Sequence, residues 1–139
     1  MREIIAVFIT VLAFSLPGLA QDDPAPWQAT VSGQIEAFRA GDGARALTFA
    51  GAGFRTQFEA QPDAFYAAII ASGYAPIARS RSHSFGVYRR ISDTSVTQVV
   101  TFIGSDQKLY EALYQLTNED DTGWRVHGVI LRREAGVGV

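Results

Sequence analysis

The chain of 139 residues carries 12 basic and 14 acidic residues, a net charge of −2, and no cysteine. That length fits one domain with a short appendage and does not suit two. Absence of cysteine excludes a disulfide framework, a thiol nucleophile, a thiolate metal site and an acylated lipoprotein anchor. The mildly acidic balance excludes a general nucleic-acid surface, which needs clustered positive charge.

Residues 1–20 read MREIIAVFITVLAFSLPGLA. Arg2 and the free amino terminus make a short positive start. Ile4 to Leu16 is an apolar run interrupted only by Thr10 and Ser15, and Pro17 breaks any helix after it. Gly18 and Ala20 place small residues at −3 and −1 of a cleavage site before Gln21. This is the layout of a secretory signal peptide, and the run is short for a membrane span. The expectation is cleavage between Ala20 and Gln21, a periplasmic or secreted product, and no membrane association afterwards. Retention as an anchor is the alternative. Cleavage removes one Arg and one Glu together, so the net charge persists.

Residues 21–26, QDDPAP, are expected to be a disordered or extended leader. From Trp27 the pattern turns helical. Trp27, Val31, Ile35 and Phe38 recur on one stripe, with Gln34 beside it. Gly41 closes this helix, and Asp42 can cap the next. Leu47, Ala50, Phe54 and Phe58 continue the spacing across a Gly51-Ala52-Gly53 break, which predicts two short helices at an angle. Pro62 opens a third element, DAFYAAIIAS, with Phe65 and Ile69 inward and Gly73 as its stop.

After Tyr74 the period becomes alternating. Strands are predicted over 83–91, 95–103, 108–117 and 124–132, separated by Ser92-Asp93, Gly104-Ser105-Asp106 and the acidic NEDDTG turn. Phe85 and Val87 fall on one face of the first. Val96, Gln98, Val100 and Phe102 share a face of the second. Tyr110, Ala112, Tyr114 and Leu116 share a face of the third, and Trp124, Val126 and Ile130 a face of the fourth. The tail, 134–139, is expected to be flexible. Helices followed by consecutive antiparallel strands predict an α+β domain over 27–133, with the helices packed on one face of a meander.

The run WQATVSGQIEAFRAGDGARALTFA resembles the opening of the bacterial DUF4864 family, through Gln34, Ala37, Phe38, Asp42, Phe49 and Ala50. Later features agree in order. They are Phe65, Gly73-Tyr74-Ala75-Pro76-Ile77, Gln98-Val99-Val100, Tyr114, and Gly123-Trp124-Arg125-Val126 with Gly128-Val129. The resemblance spans almost all of residues 27–132 and implies an NTF2-like cone. In that superfamily a curved antiparallel sheet wraps N-terminal helices and leaves a pocket. The fold hosts ketosteroid isomerases, dehydratases, cyclases and non-catalytic binding modules, so it does not select a function. The family brings no assigned activity and no catalytic residue.

The residues themselves offer little catalytic chemistry. His83 and His127 lie in no metal-ligand spacing, so no metal is expected. Either is a general base only if it points into the pocket. Asp93, Asp106, Glu119, Asp120 and Asp121 read as solvated turn residues. Glu111 sits on the face of Leu109 and Leu113, as a rim residue or a pocket acid. Gly41 to Ala46 fits G-x-G-x-x-A on paper but follows a helix, which excludes a phosphate cradle. Ser82-His83-Ser84 alternate faces and form no nucleophile–base pair. Arg79, Arg81, Arg89 and Arg90 read as a solvated edge that resists strand pairing, or as a small anion patch.

Gln98 is the most informative residue, because a buried amide needs partners. It either bonds a core group such as Gln34 or lines the pocket with Tyr114. The candidate ligand-binding residues are Gln34, Gln98, Tyr114, Phe54 and Phe58, in a cavity bounded by the first helix and the strands of Gln98 and Tyr114. No catalytic residue and no cofactor are assigned. The expected role is non-enzymatic binding of a small apolar ligand or a protein partner. The alternatives are an isomerase- or lyase-like enzyme using a pocket His or carboxylate, and a homodimeric interaction module.

Overall fold

A computed structural model describes residues 24–133. The leader peptide, its cleavage site and the 134–139 tail lie outside the described residues. Five helices precede four strands: α1 (Pro26–Arg39), α2 (Gly43–Thr48), α3 (Ala52–Gln57), α4 (Ala64–Ala71), α5 (Ala75–Ala78), then β1 (Ser82–Ser92), β2 (Ser95–Ile103), β3 (Leu109–Glu119) and β4 (Gly123–Arg133). The strands form one antiparallel sheet in the order β1-β2-β3-β4, and the helices pack against one face of it.

Pro26 opens α1, since its missing N–H falls where no partner exists. Gln28 Oε1 accepts the Ala25 N–H at 3.2 Å, and Ala25 packs against the core, so the end of the expected loose leader is already ordered. Trp27, Val31, Ile35 and Phe38 are all buried, as the stripe requires. Asp42 caps α2 by accepting the Arg45 N–H at 3.0 Å. The short α5 has no periodicity long enough to announce it in the sequence.

Val96, Gln98, Val100 and Phe102 on β2 and Ala112, Tyr114 and Leu116 on β3 are almost wholly buried. The alternation of β1 and β4 holds only in part, because each contains a bulge. On β1, Phe85 pairs with Val100 and Tyr88 with Gln98, which leaves Gly86 and Val87 both opposite Val99. The extra residue turns Val87 out to solvent while Phe85 packs inward. On β4, Val126 pairs with Leu116 and Gly128 with Gln115, which leaves His127 as the extra residue. Trp124 and Val126 point inward before it, and Val129 and Leu131 after it. Ile130, expected beside Val126, is therefore exposed on the opposite face.

Two apolar clusters result. One joins Trp27, Val31 and Ile35 to the inner sheet face around Val96, Phe102 and Leu116. The other joins Phe38, Leu47 and Phe65 between the helices. No helix of the described residues is long and apolar enough to cross a membrane.

Candidate functional site

Between the two clusters lies a cavity of about 280 Å³, walled by helices α1, α3, α4 and α5 and by strands β3 and β4. Phe38, Phe54, Phe65, Ile69, Ile77, Val126 and Val129 supply most of its surface. Ser72, an exposed residue just after α4, lies at its rim. Tyr74 also lines it, with its hydroxyl spent in donating to the Val129 carbonyl at 2.9 Å.

Two buried polar side chains enter this apolar space. Gln34 reaches it from α1, and its amide N–H donates to the Ala46 carbonyl at 3.2 Å. Its Oε1 has no hydrogen-bond partner among the described residues. Tyr114 reaches it from β3 and is 1% exposed, and its hydroxyl likewise has none. Burial pushes the Tyr114 hydroxyl far above the usual phenol range, opposed weakly by the charge of Arg39, so it remains a proton donor. Inside its exposed Ser72 rim the cavity thus presents an open acceptor on Gln34 and an open donor on Tyr114, both neutral. Among the described residues no His, Asp, Glu, Lys or Arg lines it.

Of the candidate residues, Gln34, Tyr114 and Phe54 line the cavity and Gln98 and Phe58 do not. Gln98 is fully buried elsewhere, and β2 contributes nothing to the lining. Its Oε1 accepts from Trp27 Nε1 at 2.8 Å and Gln28 Nε2 at 3.1 Å. Its Nε2 donates to the carbonyls of Gly86 and Val99 at 2.9 Å and Val87 at 3.3 Å. Gln98 therefore pins the β1 bulge to α1, with Trp27 rather than Gln34 as its core partner. Phe58 stacks edge-on against Phe65 at 5.3 Å and stands behind the wall that Phe65 makes.

The titratable residues gather elsewhere. His83 Nδ1 faces the Arg39 guanidinium at 3.1 Å, and Nε2 faces Ser32 Oγ at 3.0 Å. Arginine only donates, so Nδ1 accepts and Nε2 carries the proton. Burial and then the Arg39 charge lower the His83 pKa, against a smaller pull upward from Glu36. A ring with its proton already facing the hydroxyl cannot take one from Ser32, so this pair is no nucleophile and base.

Glu119 is the largest departure from expectation. It ends β3 rather than sitting in a solvated turn. Its Oε2 accepts from the Ala52 N–H at 3.0 Å and pairs with His127 Nε2 at 2.8 Å. Its Oε1 accepts from Arg55 Nη2 at 3.0 Å and Thr122 Oγ1 at 2.8 Å. Burial would raise its pKa, but the bonds from Thr122, Ala52, Arg55 and His127 together hold it down to about 2. The His127 ring lies flat on Gly51, where a Cβ would come within 2.7 Å of Nε2. Only the bulge aims His127 there, and no alternation pattern in the sequence announces it. This cluster ties the start of α3, which carries Phe54, to the β3–β4 turn.

Glu111 pairs with Arg132 on the outer sheet face, away from the cavity. Asp106 accepts the Lys108 N–H at 3.0 Å and the Tyr110 hydroxyl at 2.5 Å. Arg90 covers the Trp27 ring at 5.5 Å, and Arg79 reaches the Tyr66 hydroxyl at 3.4 Å. Among the described residues no three His, Asp or Glu side chains converge as metal ligands.

Comparison with known proteins agrees with this architecture. The model of DUF4864, a domain of unknown function, matches residues 20–139. The structure is similar to the crystal structure of a domain of unknown function with a cystatin-like fold from Nostoc punctiforme. The TM-score is 0.54 at 15% identity, covering 78% of this chain and 75% of that one. Cystatin-like and NTF2-like domains share the helix-on-sheet cone, so the α+β cone stands. No curated protein matches the sequence.

Proposed function

The chain belongs to the DUF4864 family, and for this member we propose non-enzymatic binding of a small apolar molecule in the cavity between the helices and the sheet. The observation that carries this reading is the lining: apolar walls with two buried side chains, Gln34 and Tyr114, each left with a polar atom without a partner among the described residues. Such convergence of a few polar groups in an apolar concavity is the usual form of a small-ligand site. An isomerase or lyase reading would need a His or carboxylate there, and the described lining residues supply neither. We infer that the domain works outside the cytoplasm after removal of residues 1–20. Intact mass of the exported protein tests that inference, with retention of those residues as the contrary result.

Native mass spectrometry of protein purified from its own host tests the binding reading. The expected result is a bound species that dissociates on mild activation, with a mass suited to roughly ten to twelve heavy atoms. That size is scaled from the ~150 Å³ cavity that takes benzene. Consistently bare protein that also takes up no added apolar molecule would end the reading.

A second reading rests on the outer sheet face. Leu113 pairs with Ile130 and with Val99, and Val99 faces the bulge carrying Val87. The result is an apolar row across all four strands, with Val87 78% and Ile130 67% exposed. Thr97, Thr101 and Gln115 flank it, the exposed Arg89 sits beside Thr97, and Glu111 and Arg132 satisfy each other. We propose a second copy of the chain as the occupant, since a like face offers the same uncharged row. Sedimentation of the wild type and Ile130→Glu tests this: a concentration-dependent dimer lost in the variant is expected, and a monomer at high concentration opposes it.

A further inference from the structure

We propose that the cavity selects a neutral molecule carrying a single hydroxyl on an apolar body, and rejects carboxylates and ammonium ions of the same shape. This inference rests on the binding reading above and adds the chemistry of the ligand's polar end.

Each buried polar side chain in the cavity lacks one partner. Gln34 has its amide N–H engaged by Ala46 and its Oε1 open, so it calls for a donor. Tyr114 has a protonated hydroxyl and calls for an acceptor. An alcohol or phenol is both at once: its O–H donates to Gln34 Oε1 and its lone pair accepts from Tyr114. A ketone meets only Tyr114. A hydrocarbon meets neither and leaves both buried groups unpaired.

Charge decides the rest. Among the described residues no Lys, Arg or His lines the cavity to balance a carboxylate, and no Asp or Glu to balance an ammonium. The charge of Arg39 acts on Tyr114, but its guanidinium is held by Ser80 Oγ at 3.0 Å and His83 Nδ1 at 3.1 Å. Burying an unpaired charge in these walls costs more than the apolar contacts return. The walls themselves are Phe38, Phe54, Phe65 and branched aliphatic residues, which suit a flat or compact hydrocarbon body.

The test is calorimetric titration of the full chain at pH 7 with naphthalene, 2-naphthol and 2-naphthoate. These probes share a body and differ at one position. The expected result is 2-naphthol binding at least tenfold tighter than naphthalene, because its hydroxyl meets both open groups, with 2-naphthoate weakest. Tyr114→Phe and Gln34→Leu are each expected to bring 2-naphthol down toward naphthalene while naphthalene binding persists, which also reports that each variant folds. Equal binding of naphthalene and 2-naphthol overturns the hydroxyl selectivity and leaves the cavity reading in place. Tightest binding by 2-naphthoate overturns it too. Failure of all three to bind removes the cavity reading and this inference with it.

Discussion

Gln98 and Gln34 are the same side chain in two settings. Gln98 sits on the sheet side with both amide atoms engaged and no space around it. Gln34 sits on the helix side with one atom engaged and the other facing an open volume. A buried amide whose every group is matched fixes a conformation, whereas one left half matched at a cavity wall is poised to meet something else. Burial and residue type alone do not separate the two cases. The partners do.

The largest effect is expected from breaking the matched side. Gln98→Leu leaves Trp27 Nε1 and the Gly86 carbonyl without their partners, and should cost about 2–4 kcal/mol of stability by denaturant unfolding. Gln34→Leu loses only one bond to Ala46 and should cost less than half as much. Equal losses would erase the distinction between the two amides.

Next comes the clamp that holds α3 against the β3–β4 turn. Glu119→Gln should cost about 1–2 kcal/mol, discounted because Arg55 and His127 are partly solvated. The folded-state pKa of Glu119 is depressed from 4.5 to about 2. Its contribution is therefore full above pH 4.5 and lost as pH falls toward 2. Wild type and variant should converge in stability over that window. The variant should also bind naphthalene more weakly, since Phe54 of α3 lines the cavity.

Gly51→Ala is expected to cost about 1 kcal/mol, because the new methyl meets His127 Nε2. A double-mutant cycle sharpens the cause: in a His127→Ala background the same change should be nearly neutral.

The smallest effect concerns His83. Its pKa is lowered from 6.5 in the fold, so its neutral form stabilises above that pH and the contribution fades as pH falls through and below it. Wild type should lose stability between pH 7 and 5 more steeply than His83→Gln, by a fraction of a kcal/mol.

Much of the framework was legible in the sequence. The Trp27-Val31-Ile35-Phe38 stripe and the alternation of β2 and β3 depend on period alone, and period survives in an unperturbed element. Alternation places Ile130 and Val87 on the wrong face, because a bulge shifts the residues that follow it and neither bulge carries a local signature that alternation detects. Glu119 resembled its acidic neighbours in the turn, and its partners Ala52, Arg55 and His127 arrive from distant segments. Gln98 was recognisable as a residue that needs partners. Which partners it finds is set by how α1 crosses the sheet, and no spacing encodes that.

Methyl-resolved NMR during titration with naphthalene tests the central claim most directly, because it reads both regions in one experiment. Shifts are expected at Ile69, Ile77, Val126 and Val129 around the cavity, with Val96 and Val100 beside Gln98 unmoved. Shifts centred on Val87, Leu113 and Ile130 of the outer face, or spread evenly through both clusters, would contradict it.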